Sequence, residues 1–217
     1  MPRPRRPHVE AGSTAGIFVV LLLAAALTLQ LASVEARAAV MGWSSTNLLN
    51  LADHPAGALV ASAFVGSHGT GLAGWCALAV VGLAATAWRL GVLRTLVVVA
   101  GAQVIATYVS QGILVVRLAT HHAAADLVSM SDVGPSYVVV AGLTAGVAFG
   151  PAWGRLASVA GLIVAAPSLF TNLTALDVTA VGHAMSIVTA LLIGAAVRSR
   201  RPGGRVLCYG VAEPAAR

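Results

Sequence analysis

Charged side chains are scarce in this sequence. Only 9% of its 217 residues are charged, whereas 58% are hydrophobic. A soluble domain of average composition carries roughly 25% charged residues, so the composition excludes a soluble domain of this size. The sequence instead indicates an all-α protein that crosses a membrane several times.

Lysine is absent, and all 13 basic residues are arginines. These arginines cluster at the ends of apolar segments, which is typical of membrane topology rather than of a nucleic-acid-binding surface. We therefore expect the lipid bilayer as a partner and no nucleic acid. The arginine-only basic set, with much alanine, glycine and valine, suggests a GC-rich coding bias and hence a bacterial plasma membrane.

Cysteine is almost as rare, with Cys76 in an apolar run and Cys208 near the C-terminus. The two lie in segments that we expect at different depths or sides of the membrane, so they predict neither a disulfide nor a metal site. We expect no metal and no cofactor.

Six apolar segments predict six membrane-spanning helices. The first is about 20 residues long, which exceeds the apolar part of a signal peptide and favours a retained helix, although an Ala-Arg-Ala motif at Arg37 leaves cleavage open. We predict an N-terminal tail at 1–14, a membrane domain at 15–198 and a C-terminal tail at 199–217. The predicted helices are 15–34, 70–88, 95–116, 136–150, 156–170 and 178–197.

The arginine distribution predicts the orientation of these helices. With the N-terminus inside, the outer segments contain only Arg37 and Arg117, and all other arginines fall on the inner side. Arginine is enriched in cytoplasmic loops, so both termini are predicted to be cytoplasmic. The polar segments 35–57 and 118–135 are then predicted to be outer loops.

Small residues recur every four positions on the fourth and sixth predicted helices. Such stripes allow helix backbones to approach closely in lipid, so we expect these two helices to pack tightly. The alternative is that glycine, with 23 copies, is simply abundant. The stripes comprise Gly142, Gly146 and Gly150 on one helix, and Gly182, Ser186, Ala190 and Gly194 on the other.

Ser136 lies where a polar turn enters the fourth apolar segment. The first amides of a helix lack intrahelical acceptors, so a nucleophile here lies beside ready-made oxyanion donors. His183 is the only histidine deep in a predicted helix, and a serine within reach of a histidine is the minimal nucleophile–base pair. Helix capping by Ser136 and a purely structural His183 are the alternatives.

The predicted helices place Ser136 and His183 at similar depths in the membrane. His183 lies about six residues, or roughly 9 Å, into its own helix. As a helix, residues 136–153 span roughly 27 Å, which is less than the roughly 30 Å hydrocarbon layer and leaves Ser136 in a recess. We expect Ser136 and His183 to face each other within about 4 Å or through one water.

The sequence resembles the rhomboid family of intramembrane serine proteases, six-helix proteins with a Ser-His dyad. Gly134-Pro135-Ser136-Tyr137 stands at the place of the family's Gly-x-Ser-Gly. His183 stands at the place of the histidine in the family's His-x-x-Gly-x-x-x-Gly, with the small residues Ser186 and Ala190 at the offsets of the two glycines. The resemblance implies Ser136 as nucleophile, His183 as general base, an oxyanion or binding role for Gly134 and His68, and transmembrane segments of client proteins as partners.

Several positions depart from that pattern. Leu72 stands where the family has an oxyanion-site asparagine, and the loss of one such donor lowers the rate by about 10²–10³. Tyr137 replaces a glycine where close helix approach is needed, Pro135 lacks an amide donor, and we expect Asp132 to cap the helix.

Three functions follow from these residues. The first is an intramembrane serine protease, and the second is an inactive relative, a pseudoprotease, that binds transmembrane clients. The third is a small transporter, which the lack of acidic residues within the predicted helices disfavours.

Overall fold

A computed structural model describes residues 7–66 and 71–199, apart from the side chains of Pro7, His8 and Glu10. These ranges contain no strand. Two short 3₁₀ turns lie at Ala125–Ser129 and Leu173–Ala175. The α-helices of the described ranges are α1 (Pro7–Leu31), α2 (Val34–Ser44), α3 (Leu48–Asp53), α4 (Pro55–Ser62), α5 (Leu72–Leu90), α6 (Val92–Ala119), α7 (Ser136–Phe149), α8 (Ala152–Leu169) and α9 (Val178–Ser199).

The all-α membrane architecture predicted from the sequence is confirmed. Five of these helices are long and apolar enough to cross a membrane, namely α1 from Ala11 onward, α5, α6, α8 and α9. The sixth predicted segment, α7, is apolar but has only 14 residues.

The shortness of α7 corrects the expected helix length. The backbone becomes extended at Gly150, with ψ 171°, and Pro151 then precedes α8. Proline lacks the amide that would continue the helix, so α7 ends before Trp153. The helix spans roughly 21 Å rather than roughly 27 Å.

α7 lies at the centre of the bundle. It contacts α5, α6, α8 and α9. Its residues from Tyr137 to Gly146 are all buried. Thr86 on α5 donates a hydrogen bond of 2.9 Å to the Gly142 carbonyl on α7. Hydrogen bonds and close packing of this kind hold helices together where lipid supplies no hydrophobic drive between them.

The glycines of α7 do not face α9 as expected. A β-carbon at Gly142 would lie 3.2 Å from Leu83 on α5, and one at Gly146 would overlap the Ser158 hydroxyl on α8. The small residues of α7 therefore allow α5 and α8 to approach it closely.

α7 and α9 pack by a different device. Two aromatic rings of α7 occupy the space that α9 leaves at its own glycines, because β-carbons at Gly182 and Gly194 would overlap Tyr137 and Phe149 respectively. The expectation that α7 and α9 pack is met, but by rings against glycines rather than by two facing glycine stripes. Tyr137 does not hold the helices apart, because Gly182 makes room for its ring.

The segment predicted as the first outer loop folds into α2, α3 and α4. Ser33 caps α2 by accepting from the Ala36 amide, and Asn47 caps α3 by accepting from the Asn50 amide. The Asn50 side-chain amide donates to the Gly42 carbonyl at 2.6 Å and to the Ser45 carbonyl at 2.8 Å. These contacts satisfy carbonyls at the end of α2, where the helix supplies no donors of its own.

The tails fall partly within the described residues. α1 begins at Pro7, so helix extends into the segment 1–14 predicted as a tail. Residues 200–217 of the predicted C-terminal tail lie outside the described ranges.

Candidate active site in the membrane domain

One cavity of about 200 Å³ brings together the two residues that the sequence selects as a nucleophile and a base. It lies where α5, α7 and α9 begin and α8 ends. Ser136 contributes to its wall from the first turn of α7, and His183 from α9. The other lining residues are Leu22, Gly66, Leu72, Trp75, Val133, Gly134, Pro135, Ser168, Leu169 and Thr179.

The start of α7 leaves backbone donors uncapped. Pro135 occupies the N-cap position, and no side chain caps the helix there. The amides of the first turn have no intrahelical acceptors, and they carry the positive end of the helix dipole. Ser136 is half-buried beside them. This local arrangement suits the stabilisation of a negatively charged oxygen.

Gly134 shapes the turn that leads into α7. Its φ of +142° lies in a region that glycine adopts readily and other residues avoid. Its amide donates to the Ser62 carbonyl at 2.9 Å. Gly134 therefore lines the cavity and joins this turn to the end of α4, while its own amide already has an acceptor.

His183 is held in one tautomer. Its side chain is buried, with 4% exposure, and Nδ1 lies 2.7 Å from the Leu169 carbonyl on α8. A carbonyl oxygen only accepts hydrogen bonds, so Nδ1 carries the proton. Nε2 of the neutral ring is then an acceptor, and it is buried without a hydrogen-bond partner. An imidazole nitrogen that is free to accept a proton is what a general base requires.

Ser136 and His183 share the cavity without a direct hydrogen bond, because Nε2 has no partner. The Tyr137 ring packs edge-on against the His183 imidazole, with ring centroids 5.2 Å apart and an interplanar angle of 84°. This contact and the Leu169 hydrogen bond fix the imidazole from two sides.

Asp132 is the centre of a buried hydrogen-bond network beside the cavity. Its carboxylate accepts from the hydroxyls of Tyr137 at 3.1 Å, Thr46 at 3.1 Å and Thr179 at 3.2 Å. Its amide donates to the Ser45 hydroxyl at 2.9 Å. Burial raises the pKa of the Asp132 carboxyl, and the three hydroxyl donors partly oppose this rise.

This network corrects the expected role of Asp132 as the cap of α7. The carboxylate joins the segment before α3 to α7 and α9 instead, and the amides of α7 remain uncapped. Sequence reasoning missed this role. The available signal was an acid between two apolar segments, followed five residues later by a tyrosine.

A second, much smaller cavity adjoins Ser136. Its volume is about 10 Å³, and its wall includes Ser136, Ser62 and Gln103. Gln103 donates from Nε2 to the Ser62 hydroxyl at 3.1 Å, and its Oε1 is buried without a partner. A volume of roughly 10–15 Å³ with several polar groups accommodates one water. Gln103 is a polar residue within an apolar helix, which was the signal for it in the sequence.

The remaining predicted site residue, His68, lies outside the described residues. Leu72, which stands at the position of the family's asparagine, lines the larger cavity. Within the described ranges, no group of three or more His, Cys, Asp and Glu side chains is arranged to hold a metal ion.

Comparison with known proteins supports the resemblance. A family model described as rhomboid-like protein matches residues 8–203, which is most of the chain. Neither the curated proteins nor the solved structures gave a match. The family match covers every described helix apart from the first residue of α1. This chain belongs to the rhomboid-like family of membrane proteins.

Proposed function

We propose that this protein is an intramembrane serine endopeptidase, with Ser136 as nucleophile and His183 as general base. The observation that carries the proposal is the state of His183. Its Nδ1 proton is committed to the Leu169 carbonyl, and its unpartnered Nε2 belongs to a side chain that shares a cavity with Ser136. A serine hydroxyl needs such a base, because it is a weak nucleophile at neutral pH.

The chemistry uses only groups of the chain, the substrate and water. Ser136 Oγ attacks a peptide carbonyl carbon as His183 Nε2 takes the hydroxyl proton. The C–N bond then breaks, and the departing amine receives that proton from Nε2. Water, activated in turn by Nε2, hydrolyses the acyl-serine ester and restores both side chains.

The oxyanion formed in each step needs hydrogen-bond donors. The Ser136 amide at the uncapped start of α7 is one of them, and His68 is the second that the family resemblance implies. Leu72 offers no donor, so the oxyanion site has one donor fewer than the family pattern. We expect a slow protease, lower in rate by about 10²–10³ than one with the full set.

The substrates are transmembrane segments of client membrane proteins, which reach the cavity from the bilayer. We place both termini in the cytoplasm because of the arginine distribution. We place the protein in a bacterial plasma membrane because its composition suggests a GC-rich coding bias. Cysteines introduced at Ala39 and Ser129, which are exposed, are then expected to react with a membrane-impermeant thiol reagent added from outside. Reaction of either only after the inner face is opened contradicts this orientation.

The catalytic proposal is tested with a fluorophosphonate, which modifies activated serines. The purified full-length protein in detergent is expected to be labelled, and Ser136→Ala is expected to abolish the labelling. Ser168→Ala is the matched control, because Ser168 lines the same cavity with its hydroxyl donated to the Ala165 carbonyl. Labelling that persists in Ser136→Ala, or disappears only in Ser168→Ala, contradicts the assignment.

A second candidate is client binding without cleavage. Two observations favour it, namely the missing Ser136–His183 hydrogen bond and the Tyr137 ring that packs against the imidazole. In this case, fluorophosphonate does not label the protein, yet a photoreactive residue at Leu72 crosslinks to transmembrane peptides. Labelling that depends on Ser136 rules out this alternative.

A further inference from the structure

A second large cavity lies at the opposite end of the bundle from Ser136. Its volume is about 190 Å³, far above the roughly 10–15 Å³ that one water needs. It forms where α5, α7 and α9 end and α8 begins. Its described lining residues are Arg89, Leu90, Phe149, Gly150, Arg155 and Arg198.

Three of these six residues are arginines, one from each of α5, α8 and α9, and none of the six is acidic. Positively charged side chains around one cavity attract an anion. The guanidinium group presents a planar fork of donors that matches the oxygens of a phosphate group. The lining therefore suits a phosphate group better than an apolar ligand.

The protein itself positions two of these guanidinium groups. Arg155 donates from Nε to the Gly150 carbonyl at 3.1 Å, which orients the group and leaves its terminal nitrogens without an acceptor among the described residues. The Arg198 guanidinium carbon lies 5.9 Å from the centre of the Phe149 ring, within the range of a cation–π contact. Neither contact neutralises the charge, so both side chains keep it for a ligand.

The aromatic side chains at this end indicate its depth in the membrane. Trp88 and Trp153 pack edge to face, with ring centroids 5.7 Å apart and an interplanar angle of 84°. Tryptophan favours the headgroup level of a bilayer. Arg89 and Arg155, two residues or fewer from these rings in sequence, are thus at the level of the lipid phosphates.

We propose that this cavity binds a phosphate group through Arg155 and Arg198, with Arg89 in the cavity wall. The phosphate belongs to an anionic phospholipid of the leaflet at this face or to a soluble phosphate, and the chemistry of recognition is the same for both. A bound phosphate connects α8 and α9 at the end of the bundle farthest from Ser136. This site is independent of the proposed proteolysis.

The test measures binding of two probes to the full-length protein reconstituted in zwitterionic phosphatidylcholine nanodiscs. One probe is phosphatidylglycerol introduced into the nanodiscs and quantified by native mass spectrometry. The other is free inorganic phosphate, followed by the thermal unfolding midpoint, because a ligand of the native state raises this midpoint. Saturable binding of the lipid alone identifies a headgroup site, and a midpoint that rises with phosphate alone identifies a soluble ligand. The absence of both effects overturns the proposal.

Variants locate the site. Each lost charge-assisted hydrogen bond is worth about 1.5–3 kcal/mol, so Arg155→Gln and Arg198→Gln are each expected to weaken binding at least about 10-fold. Arg155→Lys keeps the charge but loses the fork, and we expect an intermediate loss. Arg94→Gln is the matched control, because Arg94 lies near the start of α6 at the same end of the bundle and does not line the cavity. Equal weakening by Arg94→Gln and Arg155→Gln means diffuse attraction and overturns the proposal. The thermal unfolding midpoint of each variant without phosphate serves as the folding check.

Discussion

The two ends of the helix bundle differ in whether their polar side chains are buried or exposed. At the Ser136 end, the side chains that matter are enclosed, with Asp132 7% and His183 4% exposed. Each has hydrogen-bond partners within the protein. At the other end, Arg89, Arg155 and Arg198 are exposed and surround a cavity.

This difference separates stability from ligand binding. A buried polar group costs free energy unless it is hydrogen-bonded, so changes at the Ser136 end act on both the chemistry and the fold. Exposed arginines contribute little to the fold, so changes at the arginine end act mainly on what binds there.

The largest effect is expected from the loss of His183, the proposed general base. His183→Ala is expected to lower the rate of fluorophosphonate acylation by about 10²–10⁴, because proton transfer to a positioned base contributes that much. His68→Ala is expected to lower it less, since the oxyanion site has already lost one donor at Leu72. The measurement is the second-order labelling rate of the detergent-solubilised protein.

Arg155→Gln supplies the control for this prediction, and it should leave the labelling rate unchanged. Equal and complete loss of labelling in His68→Ala and His183→Ala contradicts the ranking. A strong loss in Arg155→Gln contradicts the separation of the two ends.

An intermediate effect is expected where a ring of α7 packs against α9. Gly182→Ala places a β-carbon within the Tyr137 ring and is expected to destabilise the fold by about 1–3 kcal/mol. Gly112→Ala is the matched control, because a β-carbon there has no neighbour within 4 Å. Thermal unfolding in detergent measures both variants. Equal unfolding midpoints for the two variants would mean that the fit of the Tyr137 ring at Gly182 does not contribute to stability.

The smallest effect is expected from pH. Burial raises the pKa of Asp132 above its ordinary value of 3.8, so the native state holds this proton more tightly than the unfolded chain does. The stabilisation is therefore complete below about 3.8 and is lost as the pH rises through the higher native pKa. We expect the unfolding midpoint of the wild-type protein to fall across that window.

Asp132→Asn removes the titrating group and is expected to flatten this pH dependence. Asp126→Asn, at an exposed position in the same loop, is expected to leave it intact. Unchanged pH dependence in Asp132→Asn would falsify the assignment of the effect to this carboxyl.

Much of the fold follows from the sequence because lipid allows few solutions. A polypeptide in hydrocarbon must satisfy its backbone within helices, so apolar length alone predicts α5, α6, α8 and α9. Ser136 and His183 were identifiable for a similar reason, since polar residues next to or within apolar segments are rare and therefore informative.

The remaining features depend on tertiary contacts that helical periodicity does not contain. The stripe of Gly142 and Gly146 predicts that some helix approaches closely, but not that α5 and α8 are the ones to do so. In the sequence, Asp132 lies near several possible hydrogen-bond donors. Only the fold brings Thr46 and Thr179 to its carboxylate. The helices α2 to α4 are short, and isolated helices of such length are marginal, so propensity alone predicted a loop over residues 35–57.

The Tyr137 ring over Gly182 also constrains how this protein can diverge. The Tyr137 ring fits beside α9 without strain only while position 182 carries no β-carbon, so we expect the effects of substitutions at positions 137 and 182 to depend on each other. In descendants of this chain, we expect larger residues at 182 to arise only after Tyr137 has become small. Tyr137→Gly restores the Gly-x-Ser-Gly motif, but it also removes the hydroxyl that holds Asp132. A return to the family pattern by single substitutions therefore passes through a chain with a weakened network around its buried carboxyl.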